Sequence, residues 1–132
     1  MKKIKLAVTG CLGRMGQQII KSANIDRKFQ LVTLTENIKL NKKISGIKPE
    51  LNDENAFRKA NVIIDFTVPK CTFQVLKIAS KLKKKVVIGT TGFTKKEEEL
   101  IKRYSRKIPI FAGVHVFKAD EIVINSLRDA GA

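Results

Sequence analysis

Three glycines, Gly10, Gly13 and Gly16, stand at intervals of three in LAVTGCLGRMGQQII, between an apolar run and a stretch with helical spacing. Glycine carries no reactive group, so the chemistry on offer is that of exposed main chain. Gly10 permits a tight turn, Gly13 lets the backbone approach a ligand, and Gly16 lets the next helix pack against the first strand. A helix N-terminus adds free N–H donors and a partial positive charge, which suits a doubly charged diphosphate. Arg14 and Met15 fall in the first helical turn, with the Arg14 guanidinium in range of a phosphate or ribose oxygen. The spacing is G-x-x-G-x-x-G rather than the commoner G-x-G-x-x-G, so the motif gains its weight from context.

That context comes from three places further along. An acidic residue about 20 positions past the glycines, at the end of the second strand, accepts hydrogen bonds from an adenosine ribose. Glu36 stands there, directly after LVTLT. A bare carboxylate repels a 2′-phosphate and favours NAD over NADP, while Lys39, Lys42 and Lys43 offset that repulsion, so both NADH and NADPH stay open. The stretches DFTVP (65–69) and GTTGF (89–93) are small, polar and turn-forming. Gly89 and Gly92 would let main-chain groups reach a nicotinamide carboxamide, and Thr67, Thr90 and Thr91 offer hydroxyls. A hydride-transfer cofactor asks such placement of its protein rather than reactive side chains.

These turns need a frame that brings strand ends together. Residues 4–9 (IKLAVT), 29–35, 62–66, 86–89 and 108–112 read as strands. Helical spacing covers residues 13–23, 53–60 and the stretch from Pro69 to about Leu82. Asn52 is the expected cap of the second helix, and Thr94 with Glu97 forms a capping box that opens a fourth, reaching about Ser105. Residues 36–51 are Lys-rich with Gly46 and Pro49, and read as loop. Alternating strands and helices predict an α/β fold: a doubly wound parallel sheet, Rossmann-like, in a single domain. The dinucleotide-binding domain spans 1–112. Residues 113–132 form a divergent C-terminal tail, with a sixth strand expected at 121–125 and a helical stub at 126–130.

Composition bounds the alternatives. A length of 132 residues suits one domain, and no apolar run approaches the roughly 20 residues that cross a bilayer. Without a signal-like leader the expected compartment is the cytoplasm. Cys11 and Cys71 are too few for a disulfide framework and, with one His, make no metal site; both are expected to fill space near strand ends. The net charge of +15 raises a nucleic-acid partner, but lysine dominates arginine and aromatics are 6%, which disfavours one.

In this order and spacing VTGCLGRMG, VIIDFTVP and VVIGTTGF resemble the 4-hydroxy-tetrahydrodipicolinate reductase (dihydrodipicolinate reductase) family over about residues 3–112. The resemblance implies NAD(P)H-dependent reduction of a small-molecule substrate, 4-hydroxy-tetrahydrodipicolinate, to tetrahydrodipicolinate in lysine and diaminopimelate biosynthesis. It implies that Gly10, Gly13, Arg14 and Met15 line the pyrophosphate and Glu36 the adenosine ribose. Phe66 and Thr67 would flank the nicotinamide half, and Gly89 and Thr91 would meet the carboxamide. Asn37 stands where the family often has an arginine, which tilts the expectation toward NADH. After Ala112 the sequence departs from the family's alanine–proline–asparagine loop, and no substrate-binding domain is expected. The family's His-His-x-x-Lys segment finds only His115 and Lys118, with Val114 in the first histidine's place; these are weak catalytic candidates, and chance coincidence is the better reading. The chain is therefore expected to supply the cofactor-binding part, with its own turnover and any homo-oligomer left open. The alternatives are a stand-alone NAD(P)-binding sensor or partner module without catalysis, and a basic nucleic-acid-binding domain.

Overall fold

The computed structural model describes residues 2–112, which form a five-stranded, wholly parallel sheet flanked by four helices. The strands are β1 (Ile4–Val8), β2 (Phe29–Leu34), β3 (Val62–Asp65), β4 (Lys85–Ile88) and β5 (Ile110–Phe111). The helices are α1 (Arg14–Ile25), α2 (Glu54–Arg58), α3 (Pro69–Leu82) and α4 (Lys95–Ser105). Expected sites His115 and Lys118, the strand at 121–125 and the stub at 126–130 lie outside the described residues.

Successive strand residues face opposite sides of a sheet, so a strand covered on both sides must be apolar at every position. The central strands obey this except toward their ends, at Lys5, Lys85 and the buried Asp65. Leu6, Val8, Val62, Ile64 and Val87 enter one buried cluster with Ile19, Ile20 and Ala23 of α1. Their neighbours Ala7, Ile63, Val86 and Ile88 enter the other, with Phe57 of α2, Val75, Leu76 and Ala79 of α3, and Ile101 of α4.

The strand order is β2-β1-β3-β4-β5. Leu6 of β1 pairs with Leu31 of β2 on one side and Val62 of β3 on the other. The chain thus leaves β1 in one direction and later returns to its opposite flank. At such a reversal the connections diverge and open a crevice beyond the carboxyl ends of the strands. Here that crevice lies between the turn after β1 and the turn after β3.

Some boundaries differ from expectation. Asp53, not Asn52, caps α2: its side chain accepts the Ala56 N–H at 2.8 Å. The Asn52 amide instead donates to Cys71 Sγ at 3.3 Å, so packing against α3 takes it from the cap position. The last strand is only two residues long, because Pro109 precedes it. Residues 36–51 hold no helix or named strand, only the isolated bridges Thr35↔Glu50 and Ile44↔Ile47. Among the described residues no helix is long and apolar enough to cross a membrane.

Candidate functional site

The glycine turn is built as its spacing suggests. Gly10 takes φ +59°, a conformation that side chains disfavour, and accepts the Gly13 N–H at 2.9 Å. A Cβ on Gly16 would lie 2.3 Å from the Gly10 carbonyl oxygen, so a glycine is what lets the start of α1 sit directly against the turn that leaves β1. A Cβ on Gly10 would come within 2.8 Å of Thr67 Cγ2, so the turns after β1 and β3 touch across the strand reversal. Gly13 is exposed and would meet only the Gly10 oxygen, at 3.2 Å.

Gly13 is also the N-cap of α1, where no side chain caps the helix and the first turn carries no acid. The same holds for α3, which starts from Val68 with Pro69 in its first turn. Two helix starts beside the crevice therefore offer main-chain donors and positive dipole ends that no side chain of the first turn neutralises.

The end of β2 closes one side. Leu12 N–H donates to Glu36 Oε2 and Asn37 N–H to Glu36 Oε1, each at 3.1 Å. The carboxylate is thereby tied to the glycine turn. A cleft of about 280 Å³ results, lined by Gly10 and Gly13, by Glu36 and Asn37, by Phe66, Thr67 and Val68, and by Asn52 and Cys71. Five of the expected site residues meet there: Gly10, Gly13, Glu36, Phe66 and Thr67.

Four others lie outside that lining. Arg14 is exposed on the first residue of α1, and Met15 is half-buried beside it. Gly89 is buried, and a Cβ there would fall 1.8 Å from a carbon of the Phe66 ring. Its N–H is already given to the Asp65 carbonyl at 2.8 Å, so Gly89 makes room for an aromatic ring and has no free donor. Thr91 is exposed; its neighbour Thr90 is the one turned inward, where its hydroxyl accepts the Thr67 N–H at 2.9 Å.

Sequence reasoning passed over the most connected group at this rim. Asp65, the last residue of β3, is fully buried and accepts hydroxyls from Thr9, Thr67, Thr72 and Thr90. The available signal was a threonine or aspartate closing each central strand, in AVTG, IIDFT and IGTT. Asn52 and Cys71, brought to the cleft from outside the motifs, gave no signal.

The thiols are not nucleophiles in this setting. Burial, and then the negative charge of Glu36, push Cys11 up to about 11. Burial also pushes Cys71 up, against the lowering effect of a hydrogen bond with Thr67. Both stay protonated near neutral pH, where only thiolates attack. The site is thus equipped to bind an anion through main-chain donors at the glycine turn and helix starts.

Comparison with known proteins agrees with this architecture. Residues 4–114 match the family described as dihydrodipicolinate reductase, N-terminus. A 4-hydroxy-tetrahydrodipicolinate reductase of Pelagibacter ubique is 64% identical over 110 residues, covering 83% of this chain and 43% of that protein. Its counterpart in Bdellovibrio bacteriovorus is 41% identical over the same shares of each chain. Among solved structures, a dipicolinate-bound dihydrodipicolinate reductase from Paenisporosarcina sp. TG-14 superposes with a TM-score of 0.65 at 23% identity. That superposition covers 79% of this chain and 43% of that one. The chain spans about half the length of the curated relatives it matches. With most of its length matched to the family's N-terminal part, it belongs to the dihydrodipicolinate reductase family.

Proposed function

We propose that this chain is the nicotinamide-dinucleotide-binding part of an NAD(P)H-dependent reduction of 4-hydroxy-tetrahydrodipicolinate to tetrahydrodipicolinate. The observation that carries the reading is the cleft at the strand reversal, where the Gly10–Gly13 turn and two uncapped helix starts meet the Glu36 carboxylate. The residues present fit the group. The cofactor's diphosphate would rest on Gly10, Gly13 and the first turn of α1, with Arg14 able to swing toward it from the surface. Glu36 would accept the hydroxyls of the adenosine ribose. Phe66 and Thr67 would lie along the nicotinamide half. When bound, the cofactor supplies the hydride; the chain's own residues bind and orient it.

Glu36 favours NADH, because a 2′-phosphate beside it would be repelled. A neighbouring hollow of about 800 Å³ is lined by Lys39, Lys43 and Lys48, which soften that repulsion, with Glu50 and Asp53 opposing them and Lys59 paired to Glu50 at 3.0 Å. The expected preference is mild. Titration calorimetry with NADH and NADPH tests the reading: micromolar binding by the wild-type chain, lost in Gly13→Val, supports it. Binding unchanged by that substitution would overturn it.

A further inference from the structure

A buried carboxylate is costly unless its acceptor sites are filled. Asp65 ends a strand whose other residues, Val62, Ile63 and Ile64, are apolar and equally buried. An apolar residue would satisfy the sheet there, so the carboxylate needs another explanation.

Its hydrogen bonds balance. Oδ1 accepts the hydroxyls of Thr9 at 2.6 Å and Thr67 at 2.8 Å. Oδ2 accepts that of Thr90 at 3.1 Å and that of Thr72. Four hydroxyl protons thus meet the roughly four lone-pair sites of one carboxylate. The donors come from four places: the end of β1, the turn after β3, the first turns of α3, and the turn after β4.

Thr67 is the outward-facing member, since it also lines the cleft. Its hydroxyl goes to Asp65 and its N–H to Thr90 Oγ1, so side chain and main chain are both held. Its methyl group is the atom that leaves no room for a Cβ on Gly10. A dinucleotide with its adenosine at Glu36 and its diphosphate on the glycine turn must run toward β3 and β4. We propose that Asp65 is a positioning residue: through Thr67 and Thr90 it sets the turns after β3 and β4 at the nicotinamide end of the cleft. The inference rests on the dinucleotide reading above.

The experiment compares NADH with ADP-ribose, which lacks the nicotinamide, on the wild-type chain and on Thr90→Val, Thr90→Ser and Asp65→Asn. Valine keeps the shape of threonine without its hydroxyl, and serine keeps the hydroxyl. Wild type should bind NADH several-fold more tightly than ADP-ribose. Thr90→Val should weaken NADH at least fivefold and ADP-ribose less than twofold, while Thr90→Ser stays within twofold for both. Asp65→Asn, if it folds by circular dichroism, should show at least the same selective loss; if it does not fold, the Thr90 pair decides. Equal loss of both ligands in Thr90→Val, or no loss of either, overturns the inference. A wild-type chain that binds the two equally also overturns it but leaves the dinucleotide reading standing. One that binds neither overturns both.

Discussion

The four helix starts of the described residues divide into two kinds. α2 and α4 are finished by their own side chains. Asp53 caps the first, and at the second Thr94 and Glu97 exchange bonds with each other's main chain, with acids in both first turns. α1 and α3, which follow the two strands beside the reversal, have neither side-chain caps nor acids. A missing cap costs about 1 kcal/mol relative to Ser, Thr, Asp or Asn when an apolar residue such as Val68 stands there, and only a few tenths for Gly13. On the proposed reading, the donors left open at α1 and α3 are the ones a cofactor would fill, while the closed ends of α2 and α4 serve stability alone.

The contrast can be broken most sharply by closing an open end. Gly13→Asp supplies a cap and a negative charge to α1. NADH affinity should fall at least about 100-fold, near 2.7 kcal/mol, while stability shifts by only a few tenths of a kcal/mol. Calorimetry and urea unfolding check the two halves of that statement. A next-largest effect is expected at Gly16. Glycine to alanine inside a helix ordinarily stabilises, but here the new Cβ would collide with the Gly10 oxygen 2.3 Å away. Gly16→Ala should lose about 2–3 kcal/mol in urea unfolding, since backbone is what must move.

Opening a closed end sharpens the comparison from the other side. Thr94→Ala should cost about 1 kcal/mol of stability and leave NADH affinity within about twofold, measured on the same preparation. The effect that is smallest at neutral pH concerns Cys11, whose thiol lies buried in the open turn. Its folded-state value of about 11 exceeds the ordinary 9.0, so folding favours the protonated thiol. That contribution is whole below pH 9.0 and is lost as pH rises toward 11. The stability advantage of wild type over Cys11→Ala should therefore be flat at neutral pH and shrink across that window.

Local features were readable from sequence and distant ones were not. The glycine turn, the apolar strands and the Thr94–Glu97 box depend on residues within a turn of one another, and all three stand in the structure as read. Asp53 and Asn52 are both good caps and adjacent; Asp53 takes the Ala56 N–H while the Asn52 amide turns to Cys71, a contact 19 positions away that no local pattern gives. The role of Asp65 depends on Thr9 and Thr90, which are 56 and 25 positions away. Gly89 looked like a place for a ligand to touch main chain. The Phe66 ring also requires a glycine there, through a contact that no local pattern reveals.

The Phe66 ring resting on Gly89 has a consequence for how such an opening could be retuned. A single methyl group at 89 would occupy the space of the ring and force it to move, reshaping the cleft from a position outside its lining. The contour of the cleft is thus set partly from a buried position that no occupant would touch.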